Sequence, residues 1–289
     1  MKRVGVSIKP GDARARDLAL KLRDWLSGRG FEALPDRTLA EALGEDACLP
    51  LEALAERADL MVVLGGDGTL LHVGRRFVGR RAPLLGVNLG RLGFLTGAPA
   101  DAMFEAVETA LAGRARLVSH FCLQAEAWRD GERLSGGVAI NDVVLQRNRH
   151  PRMIEYEMSI AGEFVFRVRA DGLVLATPAG STAYALSAGG AIVHPGLDAI
   201  SVAPVCPHTL SNRPIVVPAS EVIELRLTEV PAPAALNLDG QMCQDLRQDD
   251  RILVRKGPTV TLAYMPDRSY YAVLRGKLHW TGRDHGGAC

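Results

Sequence analysis

The chain has 289 residues, 47% of them hydrophobic and 23% charged, a globular composition that excludes wholesale disorder. Its length exceeds what a single core usually serves, so two domains sharing a cleft are expected. Thirty-four basic against 33 acidic residues give a net charge of +1, far from the basic footprint of a dedicated nucleic-acid binder. Cys48, Cys122, Cys206, Cys243 and Cys289 are odd in number, widely spread and free of any Cys-x-x-Cys pair. That pattern points to reduced structural thiols, not to a disulfide framework or a zinc knuckle. The opening Met1–Pro10 is too short in its apolar part for a secretory signal, and no later run approaches a membrane span. The expected location is cytoplasmic, with neither membrane nor nucleic acid as a partner.

Val4, Val6 and Ile8 alternate as in a strand. Ala15, Leu18, Ala19, Leu22, Trp25 and Leu26 then recur at helical spacing before Gly28 and Gly30. A short apolar stretch at 31–34, a strand at 60–64, a glycine loop leading into a helix, and a strand at 84–87 extend the alternation, which fits a parallel sheet flanked by helices. Met103, Ala106, Val107, Ala110 and Leu111 form one more helical stripe, ended by Gly113. From His120 the pattern turns to strands. Asp130-Gly131 and Ala161-Gly162 read as turns, Ile154, Tyr156, Met158 and Ile160 alternate, and further runs lie near 222–227, 252–254 and 260–263. Tyr271, Leu274 and Leu278 return to helical spacing near the end. The expectation is an α/β N-terminal domain with a parallel sheet flanked by helices, and a β-rich C-terminal domain. The domains run over 1–119 and 120–267, with 268–289 returning to the first.

Three stretches carry chemistry. In Leu64-Gly65-Gly66-Asp67-Gly68-Thr69-Leu70 an apolar strand gives way to a helix. Glycines allow close approach to a phosphate, the helix start offers unpaired N–H groups, and Asp67 is a proton acceptor. Alone, the same turn is equally compatible with a capped helix. Asp171 through Gly190 repeats the theme: a strand enters Thr177-Pro178-Ala179-Gly180, Ser181 or Thr182 can cap the next helix, and Tyr184 and Ser187 sit three apart on one helical face. A Gly-x-Ser-x-Gly nucleophile pattern is absent, so acyl transfer is not expected. Asn141-Asp142 stands at a strand entrance, where the amide can pair with an adenine edge and the carboxylate can accept from ribose hydroxyls.

Together these stretches resemble the bacterial NAD kinases, whose pattern runs Gly-Gly-Asp-Gly-Thr, then Asn-Glu or Asn-Asp, then Thr-Pro-x-Gly-Ser-Thr-Ala-Tyr-x-x-Ser-x-Gly-Gly. The resemblance continues through Pro204–Pro214 and Asp239-Gly240-Gln241. It implies an α/β N-terminal domain (three-layer, Rossmann-like parallel sheet) and an all-β, sandwich-like C-terminal domain, and transfer of the ATP γ-phosphoryl group to the 2′-hydroxyl of the adenosine ribose of NAD, with Mg²⁺ accompanying the ATP, a nucleotide cleft, and a homo-oligomer (dimer or tetramer). On that reading the first domain binds the phosphate donor and the β-rich domain the dinucleotide.

In these terms Asp67 is the base, while Gly65, Gly66, Gly68 and Thr69 present N–H groups to phosphates. An ordinary carboxylate is weakly basic at neutral pH, which puts the weight on positioning. The resemblance places Asp67, Gly68, Asn141, Asp142, Asp171, Thr182, Ala183, Tyr184, Ala185, Leu186 and Ser187 along the dinucleotide. It puts Arg152, Arg169 and Gln241 near the bound dinucleotide, where the two guanidinium groups suit its pyrophosphate or the new 2′-phosphate. His72 is a candidate contact beside the loop, and no protein ligand of the metal is assigned. Two positions depart from the family's commonest pattern: Asp142 replaces Glu and Ala179 replaces Thr or Ser. The Gly-Gly-Asp-Gly-Thr loop is shared with phosphofructokinases and diacylglycerol kinases, so another kinase of that group is one alternative, and a non-catalytic dinucleotide sensor is the other.

Overall fold

The computed structural model describes residues 2–280 apart from 91–92, 149–151, 210 and 232. Contacts divide the chain into two units, one holding the residues up to Ser119 and those from Thr261 onward, the other His120–Val260.

The first unit opens with β1 (Arg3–Ile8), α1 (Ala13–Ser27), β2 (Glu32–Pro35), α2 (Arg37–Leu43), α3 (Leu51–Arg57), β3 (Leu60–Leu64), α4 (Asp67–Gly74), β4 (Leu84–Asn88), β5 (Ala98–Pro99) and α5 (Met103–Leu111). Its parallel sheet runs β2-β1-β3-β4, with β5 added beside β4. β3 and β4 are buried at every position, the signature of strands covered on both faces. Val4, Val6 and Ile8 pack with Ala15, Ala19 and Leu22 of α1 and with Met103 and Val107 of α5. On the opposite face Leu54 of α3 lies against Gly5, and Leu70 of α4 against Gly86. The sheet is therefore the middle of three layers, as expected.

The second unit holds β6 (Arg116–Arg129), β7 (Glu132–Ala139), β8 (Asp142–Arg147), β9 (Ile154–Ile160), β10 (Glu163–Ala170), β11 (Gly172–Ala176), α6 (Tyr184–Ser187), β12 (Ala199–Val205), β13 (Ile215–Pro218), β14 (Ile223–Glu229), β15 (Ala234–Leu238), β16 (Gln241–Leu246) and β17 (Arg251–Tyr264). β6 begins, and β17 ends, in the first unit. There Leu262 of β17 pairs in parallel with Leu84 of β4, and α7 (Tyr270–Leu278) comes next. One sheet is antiparallel in the order β13-β12-β11-β8-β15-β16. Facing it, β10-β9-β14-β17 pair antiparallel, and β6 pairs with β7.

The pleat divides β11 between two neighbourhoods. Leu173 and Leu175 enter the core between the sheets, whereas Val174 and Ala176 pack outward on Ala185 of α6. Asp130-Gly131 and Ala161-Gly162 all take positive φ, 50° and 83° and then 53° and 81°, the backbone of tight two-residue hairpins. Cys48, Cys122, Cys206 and Cys243 are free thiols, and burial pushes that of Cys122 up to about 12. Among the described residues no helix is long and apolar enough to cross a membrane.

Candidate active site

In the first unit β3 ends at Leu64, and Gly66 opens α4 with no side chain capping it. The first intrahelical bond is Leu70 N–H to Gly66 O, 3.1 Å, so the N–H groups of the first turn point out of the helix without an intrahelical partner. A Cβ on Gly66 or Gly68 would meet nothing within 4 Å, whereas one on Gly65 would lie 2.6 Å from Thr69 Oγ1. Gly66 and Gly68 leave space for a ligand; the Gly65 N–H, expected to face phosphate, instead donates to Val87 O at 3.0 Å, and the missing side chain lets Thr69 fold back on the loop.

Asp67 is the first residue of that helix, and its carboxylate is held by a loop 27 to 29 residues away. Phe94 N–H donates to Oδ2 at 2.8 Å, and Leu95 and Thr96 N–H donate to Oδ1 at 3.2 and 3.1 Å. A carboxylate offers about four lone-pair positions, so three backbone donors fix its plane and leave capacity for a further donor such as a sugar hydroxyl. Gly93 makes this possible: a Cβ there would fall 2.0 Å from Asp67 Oδ1. The 93–96 loop is a part of the site that motif reading missed, although its Gly93-Phe94-Leu95-Thr96-Gly97 composition marks a tight turn. His72 is exposed in the last turn of α4, and its charge helps lower the carboxyl of buried Asp36, which burial raises overall.

In the second unit Asp239 organises the Asn141 region. Its carboxylate accepts from Ile140 N–H at 2.9 Å, Asn141 N–H at 2.7 Å and Asp142 N–H at 3.2 Å, while its own N–H donates to Asp142 O at 3.0 Å. From the other side Thr177 donates its N–H to Asn141 O and its hydroxyl to Ile140 O, at 2.9 and 2.7 Å. Gly180 comes so close that a Cβ would sit 2.0 Å from Asn141 O. With its backbone clamped, Asn141 presents a buried Oδ1 that has no hydrogen-bond partner. Such an atom is costly to leave unpaired, and an exocyclic amine would satisfy it.

Asp142 is 6% exposed, and burial followed by the nearby Asp239 charge raises its carboxyl to about 7. The sequence suggests a plain ionised acceptor here; in the folded chain a substantial fraction carries a proton near neutrality, so the group can donate as well as accept.

The segment after β11 differs from expectation in one respect. Neither Ser181 nor Thr182 caps the following helix, because Ala183 intervenes as N-cap with φ −102° and ψ −127°. Ser181 is fully buried instead, donating to Pro178 O at 2.7 Å and accepting from Val193 N–H at 2.9 Å, and Thr182 Oγ1 donates to Ala179 O at 3.2 Å. These bonds fold the segment into a 3-10 turn, Gly180–Thr182, followed by the single turn α6. Tyr184 and Ser187 emerge exposed from α6, while Ala185 is buried beneath and Leu186 lies between.

Other expected binding residues occupy ion pairs or open surface. Asp171 accepts from Arg147 at 2.6 Å. Arg169 bridges Glu155 at 3.1 Å and also Glu229, and Glu155 is held below its ordinary value, burial being outweighed by hydrogen bonds from Arg167, Thr228 and Arg169. Arg152 and Gln241 are exposed, just ahead of β9 and at the start of β16. Among the described residues no group of three or more His, Cys, Asp or Glu side chains is arranged to hold a metal.

Known proteins resemble this chain over most of its length. The ATP-NAD kinase N-terminal domain matches residues 4–115, and the ATP-NAD kinase C-terminal domain matches residues 140–265. An NAD kinase of Nitrosomonas europaea is 44% identical over 269 residues, 91% of this chain and 90% of its own length. One from Magnetococcus marinus is 43% identical over 286 residues, 97% and 94% of the two chains. Among solved structures, yeast NADH kinase complexed with NADH superposes with a TM-score of 0.90 at 27% identity, covering all of this chain and 90% of that one. An NAD kinase from Archaeoglobus fulgidus in complex with ATP gives 0.75 at 25% identity, over 97% and 100%. Both domain matches fall in order along one chain, and each spans one of the two motif-bearing regions; the chain belongs to the ATP-NAD kinase family.

Proposed function

We infer that this protein is an NAD kinase, transferring the γ-phosphoryl group of ATP to the 2′-hydroxyl of the adenosine ribose of NAD to give NADP. The observation that carries the reading is the carboxylate of Asp67, fixed by three backbone N–H groups at the start of an uncapped helix. A sugar hydroxyl is a poor nucleophile, and a carboxylate within about 3 Å orients it and takes its proton as the bond to phosphorus forms. Phosphoryl transfer is mostly positioning and charge stabilisation, which suits a base whose plane is set by the backbone.

The first unit takes the phosphate donor: the first-turn N–H groups at Gly66, Asp67, Gly68 and Thr69 suit phosphate oxygens, and Gly65 keeps the loop tight. The second unit takes the dinucleotide. Asn141 Oδ1 suits the adenine amine, Asp142 a ribose hydroxyl, and Thr182, Ala183, Tyr184, Ala185, Leu186 and Ser187 line the ligand, with Asp171 at its border. Arg152 and Arg169 serve its phosphates, Arg169 by exchanging a carboxylate partner for phosphate, and Gln241 lies near the dinucleotide. Mg²⁺ enters as the ATP complex. It would keep waters and phosphate oxygens as ligands and offset the charge of the triphosphate. We place the enzyme in the cytoplasm as a homo-oligomer, dimer or tetramer, as family membership suggests.

Purified protein incubated with ATP, Mg²⁺ and either NAD or NADH, with enzymatic detection of NADP or NADPH, tests the reading. NADP formed from NAD is the expected result; no 2′-phosphorylated product from either acceptor refutes it.

A further inference from the structure

The loop that holds Asp67 is itself held from behind. Arg268 donates from Nη2 to Gly93 O at 3.2 Å and to Phe94 O at 2.6 Å. Those two carbonyls belong to the same peptide groups whose N–H ends, at Phe94 and Leu95, donate to Asp67 at 2.8 and 3.2 Å. Two successive peptide planes therefore carry a cation on their oxygen side and a carboxylate on their nitrogen side. Hydrogen bonds in such a chain polarise one another, and a charged donor on the carbonyl makes the N–H beyond it a better donor.

Arg268 is built to stay in place. Its carbon Cζ lies 4.4 Å from the centre of the Tyr264 ring. Its own N–H donates to Met265 O, its carbonyl accepts from Arg116 Nη2 at 3.0 Å, and the next residue, Ser269, caps α7. Its Nε is buried without a hydrogen-bond partner, so the side chain keeps this position at the cost of an unpaired donor. Burial lowers the guanidinium from its ordinary value, while Tyr264 and Asp67 act the other way.

We propose that Arg268 is a positioning residue for the reaction: through the 93–94 and 94–95 peptide groups it sets the plane of the Asp67 carboxylate. The proposal rests on Asp67 being the base. Arg268 touches neither substrate in this role, so its removal acts on kcat and leaves KM for ATP and NAD nearly unchanged.

The test is a double-mutant cycle with initial-rate kinetics. Arg268→Met lowers kcat by about 10–100-fold, the scale of a misplaced reacting group, and Arg268→Lys, with one point charge for two carbonyls, retains more activity than Arg268→Met. In an Asp67→Asn background Arg268→Met has little further effect on kcat. Millimolar guanidinium restores part of the activity of Arg268→Ala, and urea at the same concentration does not. The proposal is overturned if Arg268→Met and Arg268→Lys both keep kcat within about twofold, or if the loss is as large in the Asp67→Asn background. A slow Asp67→Asn beside a fully active Arg268→Met removes this inference and leaves the function intact. A fully active Asp67→Asn removes both the base and the role of Arg268.

Discussion

Replacing Gly93 by alanine separates the position of the Asp67 carboxylate from its chemistry, since Asp67 itself stays unchanged. The added Cβ would lie 2.0 Å from Oδ1, 2.6 Å from Oδ2 and 2.5 Å from Cγ. Ordinary carbon–oxygen contact begins near 3.4 Å, so the carboxylate retreats by roughly 1.4 Å or swings to another rotamer. Either movement breaks the bonds from Phe94, Leu95 and Thr96. Asp67 is the end of a movable side chain, and the freed amides reorganise locally, so the cost in stability is about 1–3 kcal/mol. Catalysis suffers more, because an ångström of misplacement costs about 100-fold. We expect kcat for NADP formation, measured by initial rates with saturating ATP and NAD, to fall about 100-fold in Gly93→Ala while the protein stays folded at assay temperature. A variant with kcat within about threefold of wild type would show that the amide cradle does not position the reacting group.

Two further expectations concern the Asn141 clamp. Gly180→Ala forces a Cβ to 2.0 Å from a backbone oxygen that cannot turn aside, so urea unfolding should show a loss of about 1–3 kcal/mol or more, and NAD binding should weaken with it. Asp142 keeps its proton in the folded chain up to about 7 but releases it near 3.8 when unfolded. Between those values the folded state binds more protons, so this group's contribution to stability falls as pH rises through the window. Asp142→Asn removes that burden: denaturant unfolding should show it gaining on wild type, by several kcal/mol at most, between pH 4 and pH 8, and an equal difference at the two pH values would contradict the assignment.

Much of the fold is legible because burial imposes periodicity. The strand at 60–64 and the helix at 103–111 coincide with their apolar runs, and both tight hairpins stand on Asp-Gly and Ala-Gly pairs that take positive φ. Short elements are harder to read: α2 and α3 span seven residues each, two turns with two buried hydrophobic positions apiece. β17 runs unbroken through Gly257-Pro258, which the sequence alone reads as a gap between two strands.

The Asp67 carboxylate is legible in its glycine loop, but its cradle is not, since Asp67 meets Phe94 only through tertiary structure. Asp239 is the same case, reaching the amides of residues 140–142 across 97 to 99 positions. Ser181 misleads in the other direction: its hydroxyl suits a cap, yet a buried loop gives it Pro178 and Val193 as partners.

The fate of phosphate labelled at the γ-position of ATP measures the proposed chemistry most directly. With NAD and Mg²⁺ present, wild-type protein should place the label on the 2′-hydroxyl of the adenosine ribose, while Asp67→Asn binds NAD with unchanged affinity and transfers label at least about 100-fold more slowly. Label transferred by Asp67→Asn at the wild-type rate would contradict the role of that carboxylate as the base.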